Sequence, residues 1–173
     1  GGIRFAACTF NNSSTQKEYS RGIGIESHDA GYTIDNFCTE DIIPCPGQQP
    51  SIFENLDYGI RAFNNNDYFP ILVDSSDFIH NRRGMYLSLI NHPMVIKNRF
   101  DLSDPAGIWI NEPIIGLYLD EFTTGYVVEE NQFSCSTATS ESFGIHLLNN
   151  GPAQNEIYYN SFSFLSTGIM AVG

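Results

Sequence analysis

The sequence predicts an all-β solenoid of about six to seven short coils, and three observations predict it. The first is a glycine followed by an apolar-x-apolar triplet: Gly22-Ile23-Gly24-Ile25, Gly59-Ile60-Arg61-Ala62, Gly84-Met85-Tyr86-Leu87, Gly107-Ile108-Trp109-Ile110, Gly144-Ile145-His146-Leu147 and Gly168-Ile169-Met170-Ala171. The second is an apolar stretch closing on Asn-x-Phe, at Asn98-Arg99-Phe100, Asn131-Gln132-Phe133 and Asn160-Ser161-Phe162, with looser copies ending at Phe37 and Phe78. The third is turn chemistry: 16 Asn and 15 Gly, with only 16% charged residues, where soluble domains average about 25%.

Taken in order, Gly2-Ile3-Arg4-Phe5 reads as a first triplet, and the glycine spacings from Gly2 are then 20, 37, 25, 23, 37 and 24. A unit of this size holds only short strands, and its apolar residues alternate with period two. The two long spacings carry loop insertions. Residues 39–58 contain Pro44, Pro46, Gly47 and Pro50, and residues 112–126 follow a triplet whose register is ambiguous, because Gly116-Leu117-Tyr118-Leu119 duplicates it. If each copy is one turn, like residues stack about 4.8 Å apart. Phe37, Phe78, Phe100, Phe133 and Phe162 then form an inner ladder, and Asn98, Asn131 and Asn160 bond along a sharp corner, where Asn tolerates the left-handed conformation. The whole of residues 1–173 forms one domain. Both ends read as interior coils without caps, so we expect a segment of a longer chain, or ends covered by further coils or a neighbouring subunit.

Composition excludes some functions. Eight Lys+Arg against 20 Asp+Glu give a net charge of −12, which repels phosphate backbones, so no nucleic-acid partner is expected. No run of about 18 apolar residues occurs, so no membrane span is expected, and the opening residues carry no signal-peptide pattern. Cys8, Cys38, Cys45 and Cys135 show no zinc spacing; Cys38 and Cys45 flank one loop and could close it as a disulfide, or all four could be unpaired.

Through the paired Gly-Ile-x-apolar and Asn-x-Phe markers, from about Gly22 to Gly173, the chain resembles the right-handed parallel β-helix superfamily, the pectate-lyase-like solenoids. That resemblance implies a secreted or cell-surface bacterial repeat protein. It leaves function open, since the superfamily includes polysaccharide lyases, glycoside hydrolases, epimerases, phage tailspikes and non-catalytic surface proteins.

Alternation turns the second residue after each glycine outward, giving Gly24, Arg61, Tyr86, Trp109, His146 and Met170, with Tyr118 the rival of Trp109. Such rings could track a polysaccharide along Arg61, Tyr86, Trp109, Tyr118 and His146, or could instead lie packed under the insertions. His80, Arg82, Arg83, Lys97 and Arg99 form a basic cluster that reads as solvated charge. Asp74, Asp77, Asp101 and Asp104 could supply the paired carboxyls of glycoside hydrolysis, but turn aspartates are common, and no catalytic residue is assigned. No cofactor is expected beyond calcium, which Asp120-Glu121, Glu129-Glu130 and Glu40-Asp41 could hold through oxygen. The expected function is therefore a non-catalytic extracellular scaffold or adhesin, possessing a lateral face for polysaccharide, with a carbohydrate-active enzyme as the alternative.

Overall fold

The computed structural model describes residues 2–13, 21–39, 46–65, 69–107, 109, 112–137 and 141–173. Among these the chain is all-β, without a helix, and lies in three parallel sheets of six strands, compatible with a β-helix solenoid. Each turn lays one strand in each sheet. The first turn gives β1 (Ile3–Ala6), β2 (Thr9–Asn11) and β3 (Ile23–His28). The second gives β4 (Tyr32–Asp35), an antiparallel ribbon of β5 (Phe37–Cys38) and β6 (Gln48–Gln49), then β7 (Ile52–Glu54) and β8 (Tyr58–Phe63). The third gives β9 (Ile71–Asp74), β10 (Asp77–Ile79) and β11 (Arg83–Ser88), and the fourth β12 (Met94–Ile96), β13 (Arg99–Asp101) and β14 (Ile114–Asp120). The fifth gives β15 (Val127–Glu129), β16 (Gln132–Ser134) and β17 (Ser142–Leu148), and the sixth β18 (Glu156–Tyr158), β19 (Ser161–Ser163) and β20 (Thr167–Val172).

The second sheet carries the phenylalanine ladder. Phe10, Phe53, Phe78, Phe100, Phe133 and Phe162 stack with ring planes within 8° and centroids 4.6–5.2 Å apart, at the spacing of the strands that carry them. Phe37 is not among them. It lies 48% exposed in the ribbon, where Phe37 pairs with Gln49, and Phe53 takes the expected place. The ribbon therefore begins the insertion earlier than residue 39, and the insertion ends before β7 rather than at Tyr58. Cys38, in the ribbon, is disulfide-bonded; Cys45 lies outside the described residues, while Cys8 and Cys135 are free thiols.

The corner between the first and second sheets explains the asparagines. Ala7, Ser75, Lys97, Glu130 and Tyr159 all adopt positive φ there, between 51° and 56°, and each precedes a member of the row Cys8, Ser76, Asn98, Asn131 and Asn160. Asn131 Oδ1 accepts from the Asn98 backbone N–H at 2.8 Å, and Asn160 Oδ1 from that of Asn131 at 2.9 Å. The Asn98, Asn131 and Asn160 amides each donate to a carbonyl of the turn before, those of Val73, Val95 and Val128, at 2.8–2.9 Å. In the second turn Ser51 Oγ accepts from the Cys8 backbone N–H at 3.3 Å, and in the third the Ser76 backbone N–H donates to Asn98 Oδ1 at 3.0 Å.

The third sheet carries the glycine row. Its register aligns Gly24, Gly59, Gly84, Gly116, Gly144 and Gly168, so Gly116, not Gly107, and Gly24, not Gly22, are the true members. Gly107 and Gly22 have φ of 60° and 75°, and belong to turns. Gly2 immediately precedes β1 of the first sheet, next to Gly31. A Cβ on Gly84 would stand 2.5 Å from the Gly116 carbonyl oxygen and 2.7 Å from Phe100 Cδ1, and the other interior members are equally tight. The glycine row and the Phe ladder are thus two halves of one contact. Because β14 occupies residues 114–120, the second long insertion is the preceding segment, residues 102–113, rather than 112–126.

Phe100→Ala should cost about 3–5 kcal/mol of unfolding free energy, and Asn131→Ala, which strands buried backbone groups, about 2–3 kcal/mol. Exposed Arg99→Ala should cost less than about 0.5 kcal/mol. Urea unfolding of the three variants checks this order.

Candidate functional site on the third sheet

The outward row of the third sheet is Glu26, Arg61, Tyr86, Tyr118, His146 and Met170, as its strand register shows. The sequence pattern places Arg61, Tyr86, Tyr118 and His146 there as expected, but Trp109 is elsewhere. It is 1% exposed within the core, with its backbone N–H donating to Asp104 Oδ2 at 2.7 Å and the Arg21 guanidinium 5.7 Å from its ring. The Gly107 copy that nominated it is a turn, so Tyr118 takes the position.

Alternation slips at each row glycine. Tyr58 and Arg61 are three apart, yet both face outward, and the Arg61 guanidinium lies 5.3 Å from the Tyr58 ring. That slip brings onto the face a column that the triplet pattern assigns to turns, including Tyr58 and Arg83. The signal was an aromatic or a basic residue immediately before the glycine.

Six rings make a continuous band across five turns. His28 stacks on Phe63 at 5.2 Å, Phe63 meets Tyr86 at 5.5 Å, Tyr86 meets Tyr118 at 5.2 Å, Tyr118 stacks on His146 at 4.7 Å, and His146 meets Phe143 at 5.7 Å. Tyr118 and His146, 12° from parallel, spend their faces on each other. Tyr86 is turned 88° from Tyr118 and so lies across the band, leaving it the ring best placed to meet the C–H face of a ligand.

Electrostatics fix the orientation. The Tyr86 O–H donates to Asp120 Oδ2 at 2.7 Å; burial first, then this bond to a carboxylate, holds the phenol well above its usual range. Burial and the Asp120 charge push the Tyr118 phenol up as well. Burial lowers His146, Asp120 opposes that shift, and Arg83 reinforces it. Ser88 Oγ donates to Glu121 Oε2 at 3.1 Å, so both carboxylates at the end of β14 are engaged.

The other nominated groups are dispersed. Arg82 is 6% exposed and bonded to Asp57 and Glu112, a buried ion pair rather than solvated charge. His80, Lys97 and Arg99 face Asp101 and Glu130 elsewhere, at 3.7–3.9 Å. Asp74 belongs to the first sheet, Asp77 and Asp101 to the second, and Asp104 holds Trp109. Glu40 and Asp41 lie outside the described residues. Among the described residues no three His, Cys, Asp or Glu side chains converge as a metal site would need, and no helix is long and apolar enough to cross a membrane. No protein-family model, curated protein or solved structure matches the chain.

His146, lowered below its ordinary 6.5 in the folded state, favours the neutral ring. Its contribution to stability is present above pH 6.5 and is lost as pH falls through the lowered value. Nuclear magnetic resonance titration of the imidazole should therefore give a midpoint below 6.5. Arg83→Gln should raise that midpoint, and Asp120→Asn should lower it further.

Proposed function

We propose that the chain is a right-handed parallel β-helix of the pectate-lyase-like kind that serves as a non-catalytic scaffold or adhesin module of a secreted or cell-surface bacterial protein. Its third-sheet face takes up polysaccharide. The observation that supports this reading is the ring band running unbroken over five turns beside Arg61 and Arg83. Strand spacing makes such a band a linear track suited to a polymer rather than to a compact ligand.

One observation favours the alternative, a carbohydrate-active enzyme: a phenol bonded to a carboxylate, Tyr86 to Asp120, stands beside His146 and Arg83. These are proton-handling groups on one face. Against it, the raised Tyr86 phenol is a poor base near neutral pH.

Retention on an immobilised glycan panel, with calcium and with chelator, separates the readings. The scaffold reading expects a glycan bound at least tenfold more weakly by Tyr86→Ala, with no new reducing or unsaturated ends. Product formation would move the assignment to the enzyme. Absence of both binding and product would overturn the glycan face.

A further inference from the structure

We infer that the outer face of the first sheet is a docking surface for a basic amphipathic helix of a partner protein, laid along the solenoid axis. The inference is independent of the third-sheet reading, because it uses another face of the chain. A sheet that meets water turns apolar residues in and polar residues out. The second sheet does so, with Asp77, Arg99 and Gln132 aligned outward on successive strands. The first sheet does not. Leu72, Met94 and Val127 stand side by side on β9, β12 and β15, and Ile96 follows two places after Met94. They face outward because their alternates Val73, Val95 and Val128 are 0% exposed in the core. Met94 is 41% exposed, and the other three are half-buried. Contiguous outward apolar side chains rimmed by charge mark an interaction surface.

The rim is acidic. Register sets Ile96 between Asp74 and Glu129, and sets Val127 beside Glu156. These carboxylates accept only neutral donors among the described residues: Ser75 Oγ at 2.8 Å, the Tyr158 O–H at 2.8 Å and the Gln154 amide at 3.0 Å, respectively. The nearby cations, Arg4 and Lys97, are paired with Asp35 and Glu130. The bond to Glu129 first, then partial desolvation and the charges of Glu129, Glu156 and Glu130, hold the Tyr158 phenol above its ordinary range. Negative potential thus converges on this edge of the apolar row. A second copy of the chain, itself at −12, would bring like charge against it, and an anionic lipid surface would do the same. Lys and Arg beside an apolar stripe are the complement.

Spacing selects the helix. Neighbouring strands lie about 4.8 Å apart, and the apolar stripe of an α-helix recurs about every 5.4 Å along its axis. A helix crossing the strands therefore sets successive turns over Leu72, Met94 and Val127. Basic residues on one flank then meet Asp74 and Glu129, and one at its end meets Glu156.

The chain's three methionines make the test specific to a face. Met94 is on the first sheet, Met170 is on the third-sheet face at 37% exposure, and Met85 is buried. Calorimetry and carbon-13 methyl-methionine spectra of the full chain are recorded with two Leu/Lys peptides of one composition. One carries Leu at helical spacing and the other is scrambled, so that attraction to net charge is common to both. The variants are Met94→Gln, the triple Asp74→Asn/Glu129→Gln/Glu156→Gln, and Glu54→Gln on the second sheet, each shown to be folded by thermal unfolding. The patterned peptide should bind about tenfold tighter than the scrambled one, and should shift the Met94 methyl but not those of Met85 and Met170. Met94→Gln and the triple variant should each lose about that tenfold, the triple variant with a weaker salt dependence, and Glu54→Gln should lose nothing. Equal binding of the two peptides overturns the inference, as does unchanged affinity in Met94→Gln or a shift at Met170 without one at Met94. Self-association of the chain, or binding to phosphatidylserine vesicles, that Met94→Gln abolishes would give the face to a second copy or to a membrane, and would also overturn it.

Discussion

The contact on which the structure depends is that between the phenylalanine ladder and the glycine row. Each Phe ring of the second sheet lies where a side chain of the third sheet would otherwise begin: a Cβ at Gly59, Gly84, Gly116 or Gly144 would come within 2.7–2.8 Å of a ring carbon. The core can hold a flat ring in each turn because the facing strand gives up its Cβ there. Rings so confined can only stack on those above and below, which ties every turn to the next at strand spacing. The asparagine corner supports this geometry, since it satisfies the backbone groups that the sharp turn before each ring would otherwise strand.

From that contact follows the lateral face. Once the glycine fixes where each third-sheet strand bends, the residues before and after it are held outward in register from turn to turn. Tyr86, Tyr118 and His146 thus fall into line without needing any contact of their own to align them. Arg83 and Tyr58 arrive by the same bend. A face assembled in this way loses little freedom on meeting a ligand, which favours recognition by a rigid surface.

Much of this was legible in the sequence. The Gly-Ile-x-apolar and Asn-x-Phe markers point to stacked parallel strands because stacking forces like residues to recur, and Asn98, Asn131, Asn160 and four of the five nominated phenylalanines lie in their rows. What failed was register. Phe37 has the chemistry of the ladder, but its strand is taken by an antiparallel ribbon, while Phe53 follows Ser51 and so lacks the asparagine that would have marked it. Gly107 has the triplet but bends backward at positive φ, whereas Gly116 lies opposite a ring. Membership in a row is decided by the neighbours above and below, and these are 22 to 43 residues away along the chain. The outward place of Arg83 was hidden for a further reason: a local repeat pattern does not show the slip in alternation at glycine that turns Arg83 toward Tyr58 and Tyr118.

A double-mutant cycle on Gly84 and Phe100 tests the central contact most directly, through the unfolding free energies of Gly84→Ala, Phe100→Leu and the pair. The Gly–Phe account predicts that alanine at position 84 costs at least about 1 kcal/mol less when residue 100 is leucine, because the more compliant side chain can yield to the new Cβ. Costs that simply add, within about 0.3–0.5 kcal/mol, would mean that the row and the ladder are independent, and would contradict it.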